Sequence, residues 1–157
     1  MKRLLPIALI VGVLGSGGVA AAELFEKEIK ARKGYMQLYS YNIGVLGAMA
    51  KGKRPYDAEA AQTAADNLVA VTQMKNGALW PKGSHKANPE VGDRTRSLPE
   101  IWSTYPKIAE AGKAFKVAAK DMQGAAGGGL DALKAKMGAL GKGCKGCHDD
   151  FRAKKKK

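Results

Sequence analysis

The chain is poor in the residues that would stiffen it or cross-link it: 2 Cys, 6 Pro and, among its aromatics, 2 Trp, 5 Tyr and 3 Phe in 157 residues. Two cysteines exclude a disulfide framework. Strand-like alternation of apolar and polar residues is missing too, and with it a sheet. No Ser/His/Asp set, phosphate-binding glycine loop or pair of carboxylates suited to acid–base work stands out, so neither a hydrolase nor a transferase is indicated. Acidic residues are scarce, at 14 against 27 Lys and Arg, for a net charge of +13. With 45% apolar residues, a chain of this length forms one compact domain that buries roughly two-thirds of its unfolded surface.

An uncharged, apolar run extends from Leu4 to Leu14, behind Lys2 and Arg3 and ahead of the Gly15-Ser16-Gly17-Gly18 break. Ala20-Ala21-Ala22 then offers an A-x-A cleavage site, so residues 1–22 are expected to be a secretory leader cut after Ala22. An uncleaved anchor is the alternative, opposed by the glycine cluster. Removing 22 residues and two cations from 157 residues and +13 leaves residues 23–157, a domain of 135 residues and +11. The implied compartment is the bacterial periplasm.

Four helices are expected in that domain. Phe25, Ile29, Arg32, Met36, Tyr39, Ile43, Leu46 and Ala50 recur every three or four residues and line one helical face, apolar except at Arg32. Lys51-Gly52-Lys53-Arg54-Pro55 ends this helix. Asp57 is the expected N-cap of a second helix, whose Ala60, Ala64, Leu68 and Val71 form a small-residue seam to about Met74. The segment from Lys75 to Arg96 holds two Pro and three Gly and reads as a long surface loop. Ser97-Leu98-Pro99-Glu100 resembles a capping box that starts a third helix, with Ile101, Tyr105, Ile108, Gly112, Phe115, Ala119 and Met122 inward and a kink at Pro106. After the glycine-rich stretch 124–129, Leu130, Leu133, Met137, Leu140, Cys144, Cys147 and Phe151 mark a fourth. The expected fold is an all-α, antiparallel four-helix bundle.

Both cysteines fall within Cys144-Lys145-Gly146-Cys147-His148. C-x-x-C-H is the attachment signature of haem c, in which two thiols add to the vinyl groups as thioethers and the adjacent imidazole reaches the iron. A bare C-x-x-C also serves as a redox disulfide or half a zinc site, but no second cysteine pair and no βαβ pattern accompany this one. His85, the other histidine, reads as a solvated loop residue, and Trp80 and Trp102 read as packing residues.

A C-terminal C-x-x-C-H behind four helices resembles the class II cytochromes c, the group of cytochromes c′ and c-556. The likeness runs from Arg32-Lys33-Gly34-Tyr35-Met36 through Val45-Leu46-Gly47-Ala48, Pro55-Tyr56-Asp57 and Ile101-Trp102 to Cys144 and Arg152. It implies one covalent haem c on Cys144 and Cys147, with His148 on the iron and the first helix facing the opposite side at Met36. Cytochromes c′ generally hold a non-ligating group there and leave iron five-coordinate. A Met at that position is similar to the low-spin c-556 branch, and it implies a six-coordinate His148/Met36 iron and a carrier of single electrons rather than an enzyme. Met36 is otherwise a gap-filling core residue, and the alternative function is a five-coordinate haem that binds nitric oxide or carbon monoxide. The resemblance also brings Arg32 toward a haem propionate, against the simpler reading of an Arg snorkelling to the surface. Arg152 corresponds to a basic residue near the proximal imidazole, or else pairs with Asp149. Tyr35 and Phe151 are expected to wall the pocket, or to be ordinary core.

The basic balance, capped by Lys154–Lys157, suits an acidic redox protein or an anionic membrane surface. Nucleic acid is excluded as a partner because an exported chain would rarely meet it and carries no recognition motif. Either a monomer or a homodimer through the first two helices is compatible with the resemblance.

Overall fold

In a computed structural model of the protein, residues 23–155 are described. The expected leader, residues 1–22, lies outside them, as do Lys156 and Lys157. Among the described residues there are four long helices and one short one: α1 (Glu26–Ala50), α2 (Ala58–Gln73), α3 (Glu100–Ser103), α4 (Tyr105–Gln123) and α5 (Leu130–Phe151). The long ones form the expected all-α four-helix bundle, α1 packing along α2 and α4 along α5, with α2 on α4 and α1 on α5 closing it. None of these helices is long and apolar enough to cross a membrane.

Local signals account for most boundaries. The Asp57 carboxylate accepts from the Ala60 amide at 2.9 Å and caps α2. Gly129 precedes α5 at φ 113°, a conformation that side chains resist. The Tyr56 hydroxyl spans the gap, donating to the Ala126 carbonyl at 2.8 Å and accepting from the Gly129 amide at 2.9 Å. At the centre, Leu46, Met49, Leu68, Met122, Leu133 and Leu140 are fully buried against the alanine seam of α2. Each is worth roughly 1.5–3 kcal/mol relative to exposure, and the small α2 side chains let the helices close on them.

Four expectations about the third helix need correction. The third helix is not continuous from Ser97: α3 ends after one turn, Thr104 turns out of helical geometry (φ −122°, ψ 47°), and α4 begins at Tyr105. Pro106 therefore sits in the first turn of α4, where its missing N–H costs nothing and no kink results. This break resets the helical phase, leaving Tyr105 70% exposed and Gly112 outside the core, while Ile108, Phe115, Ala119 and Met122 keep their inward positions. Ser97 does not cap; it forms an antiparallel bridge with Arg152, flanked by Leu98 N–H to Phe151 O at 3.0 Å and Ala153 N–H to Arg96 O at 2.8 Å. That bridge ties the end of α5 to the segment before α3.

The loop after α2 is also less superficial than expected. It holds two short 3₁₀ turns, at Gly77–Leu79 and Gly92–Arg94, and buries Ser84, Val91 and Thr95. Its anchor comes from α1.

Candidate haem-binding site

The buried line of α1 runs through Ile29, Arg32, Tyr35, Asn42, Leu46 and Met49. It passes through Tyr35 rather than Met36, which is 39% exposed. The rotation has a physical cause in the partners of Tyr35. Its hydroxyl donates to the Val71 carbonyl at 3.1 Å and lies 2.6 Å from the Tyr39 hydroxyl. The two rings meet edge to face at 5.0 Å, and Tyr39 meets Phe115 of α4 the same way. An aromatic ladder thus runs from α1 to α4 at the level where α5 carries its cysteines.

Arg32 does not snorkel. It is 3% exposed, and its guanidinium donates to Ser84 Oγ at 2.7 Å, Ser84 O at 2.6 Å and Thr95 Oγ1 at 2.9 Å, beneath the Trp80 ring at 5.1 Å. Among the described residues no carboxylate pairs with this buried cation. Burial pulls its pKa down from the ordinary value. His85, expected in solvent, is half-buried beside Trp102, and its Nδ1 finds no hydrogen-bond partner among the described residues. Trp102 Nε1 donates to Trp80 O at 3.0 Å, so both tryptophans pack as expected.

On α5, Cys144, Cys147 and His148 are all half-buried, and both thiols are free. Burial pushes each thiol above its ordinary value, and Arg152 opposes that. This is the reverse of a redox dithiol, whose attacking sulfur is held low. Among the described residues no cluster of three or more His, Cys, Asp or Glu side chains could hold a metal ion, so the half-zinc reading finds no partners. The His148 imidazole is held below its ordinary pKa by burial first, then by Arg152 and Arg96, against Asp149. A neutral imidazole is the form that coordinates iron. Arg152 itself is exposed, and Asp149 pairs with Lys145 instead. Phe151 is buried at the end of α5.

Gly143 explains how the attachment turn sits so close to α4. A Cβ there would lie 3.1 Å from Phe115 Cα and 3.2 Å from its ring. Tyr39 and Phe115, which complete this wall, were visible in the sequence only as members of the apolar stripes. The Tyr39 hydroxyl is raised far above its ordinary value of 10 by burial first, then by Tyr35 and Cys144.

Two free thiols one turn apart, an adjoining neutral imidazole, an aromatic wall and a buried cation lacking a counter-ion fit an anionic, planar, covalently held macrocycle. The fold and this donor set define a c-type haem protein built on a helix bundle. The family model for cytochrome C′ matches residues 27–152. Cytochrome c-554 of Cereibacter sphaeroides is 41% identical over 133 residues, covering 85% of this chain and 98% of its own. Cytochrome c′ of the same species is 38% identical over 155 residues, covering 99% and 100%. A solved cytochrome c′ from Rhodobacter sphaeroides superposes with a TM-score of 0.79 at 38% identity, covering 84% of this chain and 99% of the other. The chain belongs to the cytochrome c′ family, and it carries haem c attached through Cys144 and Cys147.

These relatives overturn the expected electron carrier with a six-coordinate His148/Met36 iron. They include further cytochromes c′ from Halomonas halodenitrificans and Allochromatium vinosum. Among the solved neighbours are a nitric oxide complex and a carbon monoxide-bound form of cytochrome c′ variants from Alcaligenes xylosoxidans, each at a TM-score of 0.70 and 29% and 28% identity. Diatomic ligands on the iron belong to the five-coordinate reading. Met36 fits the α1 stripe by count, and on that helix Tyr35 holds the buried position.

Proposed function

We propose that this protein is a five-coordinate haem protein of the cytochrome c′ kind, binding nitric oxide or carbon monoxide on the face of the iron opposite His148. The observation that carries the reading is membership of the cytochrome c′ family, whose model matches residues 27–152. The nitric oxide and carbon monoxide forms of related proteins support it.

His148 would hold the iron in this reading, its imidazole favoured in the neutral form by burial and by two nearby arginines. Haem, when bound, would supply an iron able to take up a diatomic gas. Arg32 holds the loop at Ser84 and Thr95, and its unneutralised charge would suit an anionic haem propionate. Tyr35 and Phe151 form apolar walls, and Arg152 places positive charge beside the imidazole. Residues 1–22 direct export to the periplasm, where the domain from Glu23 works. A homodimer through α1 and α2 would cover the exposed Leu38 and Tyr41 of α1. One solved neighbour is a cytochrome c′ with a ligand-controlled dimer dissociation.

Titrating the reduced holoprotein with carbon monoxide tests the function. A high-spin ferrous spectrum that converts stoichiometrically to a carbon monoxide adduct is expected. A low-spin spectrum that the gas leaves unchanged contradicts it.

A further inference from the structure

The second histidine, His85, lies in the loop after α2. Its ring meets that of Trp102 at 5.7 Å, tilted by 56°, and its Nδ1 is buried without a hydrogen-bond partner among the described residues. Buried polar atoms of native proteins are nearly always paired, so this nitrogen calls for a partner from outside the polypeptide. Backbone pairings put the residue at the haem end of the bundle. The Lys86 amide donates to Ser97 O at 2.8 Å, Ser97 bridges to Arg152, and Arg152 lies one helical turn beyond His148. On the other side of His85, Ser84 accepts from the Arg32 guanidinium at 2.7 Å through Oγ and 2.6 Å through O. His85 therefore stands between the buried cation of α1 and the end of α5 that carries the imidazole.

This spot is rich in donors and short of acceptors. Trp80 and Trp102, their rings 6.5 Å apart, line it, and the Trp102 N–H is taken by Trp80 O. Arg32 makes three hydrogen bonds, to Ser84 and Thr95, which leaves part of its fork of five N–H groups unused. The carboxylates that the loop engages go elsewhere: Asp93 pairs with Lys86, and Glu23 with Arg94.

We propose that His85, in the tautomer with its proton on Nδ1, donates to a propionate carboxylate of the attached haem and completes with Arg32 a two-part carboxylate site. Arg32 supplies the charge and His85 the directed proton. The proposal deepens the propionate role given to Arg32 above; it rests on haem attachment and not on gas binding. Two features select a carboxylate over a trapped water. A buried cation without a counter-ion favours an anion over a neutral guest. A propionate is also acceptor-only, which matches a pocket whose unused groups are N–H donors. A propionate held this way places less negative potential on the iron and so favours the ferrous state.

The test uses the haem-loaded protein with His85→Leu, which offers no donor, and His85→Asn, whose side-chain amide offers an N–H near the place of Nδ1. Resonance Raman spectra report the propionate bending mode, and spectroelectrochemistry the reduction potential. His85→Leu is expected to lower both the mode frequency and the potential, and His85→Asn to recover most of each. Urea denaturation separates a merely structural histidine: both variants losing stability alike, with the propionate mode unmoved, overturns the proposal. So does a mode that shifts equally in the two variants. A crystal structure of the wild-type holoprotein decides independently of how well the variants fold. A propionate oxygen within about 3.2 Å of Nδ1 is expected; a water on Nδ1, or a propionate out of its reach, overturns the assignment. Carbon monoxide titration of the same samples keeps the readings apart: a wild type that ignores the gas sinks gas binding and leaves the propionate result standing.

Discussion

The hydroxyls of Tyr35 and Tyr39 lie 2.6 Å apart, one helical turn from each other on α1. A phenol has one proton to give; since Tyr35 donates to the Val71 carbonyl, Tyr39 must donate to Tyr35. The chain Tyr39 to Tyr35 to Val71 pins α1 to the end of α2 and fixes which face of α1 meets α5.

This polarity has a pH consequence. The Tyr39 pKa is raised above its ordinary 10, by burial first. The folded state thus keeps a proton that the unfolded chain releases, so the contribution is complete below pH 10 and declines as pH rises above it. Denaturation midpoints of the holoprotein are expected to fall between pH 10 and 11.5, and to fall less steeply in Tyr39→Phe. At pH 7, Tyr35→Phe is expected to cost about 1–2 kcal/mol, because it breaks both links. Equal slopes for wild type and Tyr39→Phe would remove Tyr39 as the titrating group.

Arg32→Met removes three hydrogen bonds and strands Ser84 and Thr95 in a buried site. A loss of about 2–4 kcal/mol is expected, measured by urea denaturation, together with faster amide exchange across residues 81–96. Protection confined to its wild-type pattern would show that the loop does not depend on α1.

Gly143→Ala forces a methyl group against the Phe115 backbone at 3.1 Å. Because backbone cannot step aside as a flexible side chain does, a cost of about 1–3 kcal/mol is expected, with a lower yield of haem-loaded protein on expression. Gly146→Ala, which meets nothing within 4 Å, is the control.

Leu38→Glu and Tyr41→Glu place charge on the exposed apolar part of α1. Sedimentation is expected to show a wild-type dimer converted to monomer, with the carbon monoxide spectrum unchanged. A wild type that sediments as a monomer would dispose of the α1–α2 interface.

Much of this was legible in the sequence because the relevant signals are local. Asp57 reads as a cap and is one; C-x-x-C-H sits on the last helix as its spacing requires. The failures come from tertiary choices. Ser97 has the chemistry of a cap, but the bridge to Arg152 claims it. Met36 and Tyr35 are neighbours on a helix whose stripe tolerates either, and the hydrogen bond to Val71 turns Tyr35 inward. Nothing in the composition of the loop showed that Arg32 would bury Ser84 and Thr95, because that contact spans more than fifty residues.

The most direct test of the central claim compares the ferric holoprotein with Met36→Leu by electron paramagnetic resonance and near-infrared absorption. A five-coordinate site yields a high-spin signal in both proteins, with no sulfur-to-iron band and no change on substitution. A low-spin wild type whose sulfur-to-iron band vanishes in Met36→Leu would contradict the account.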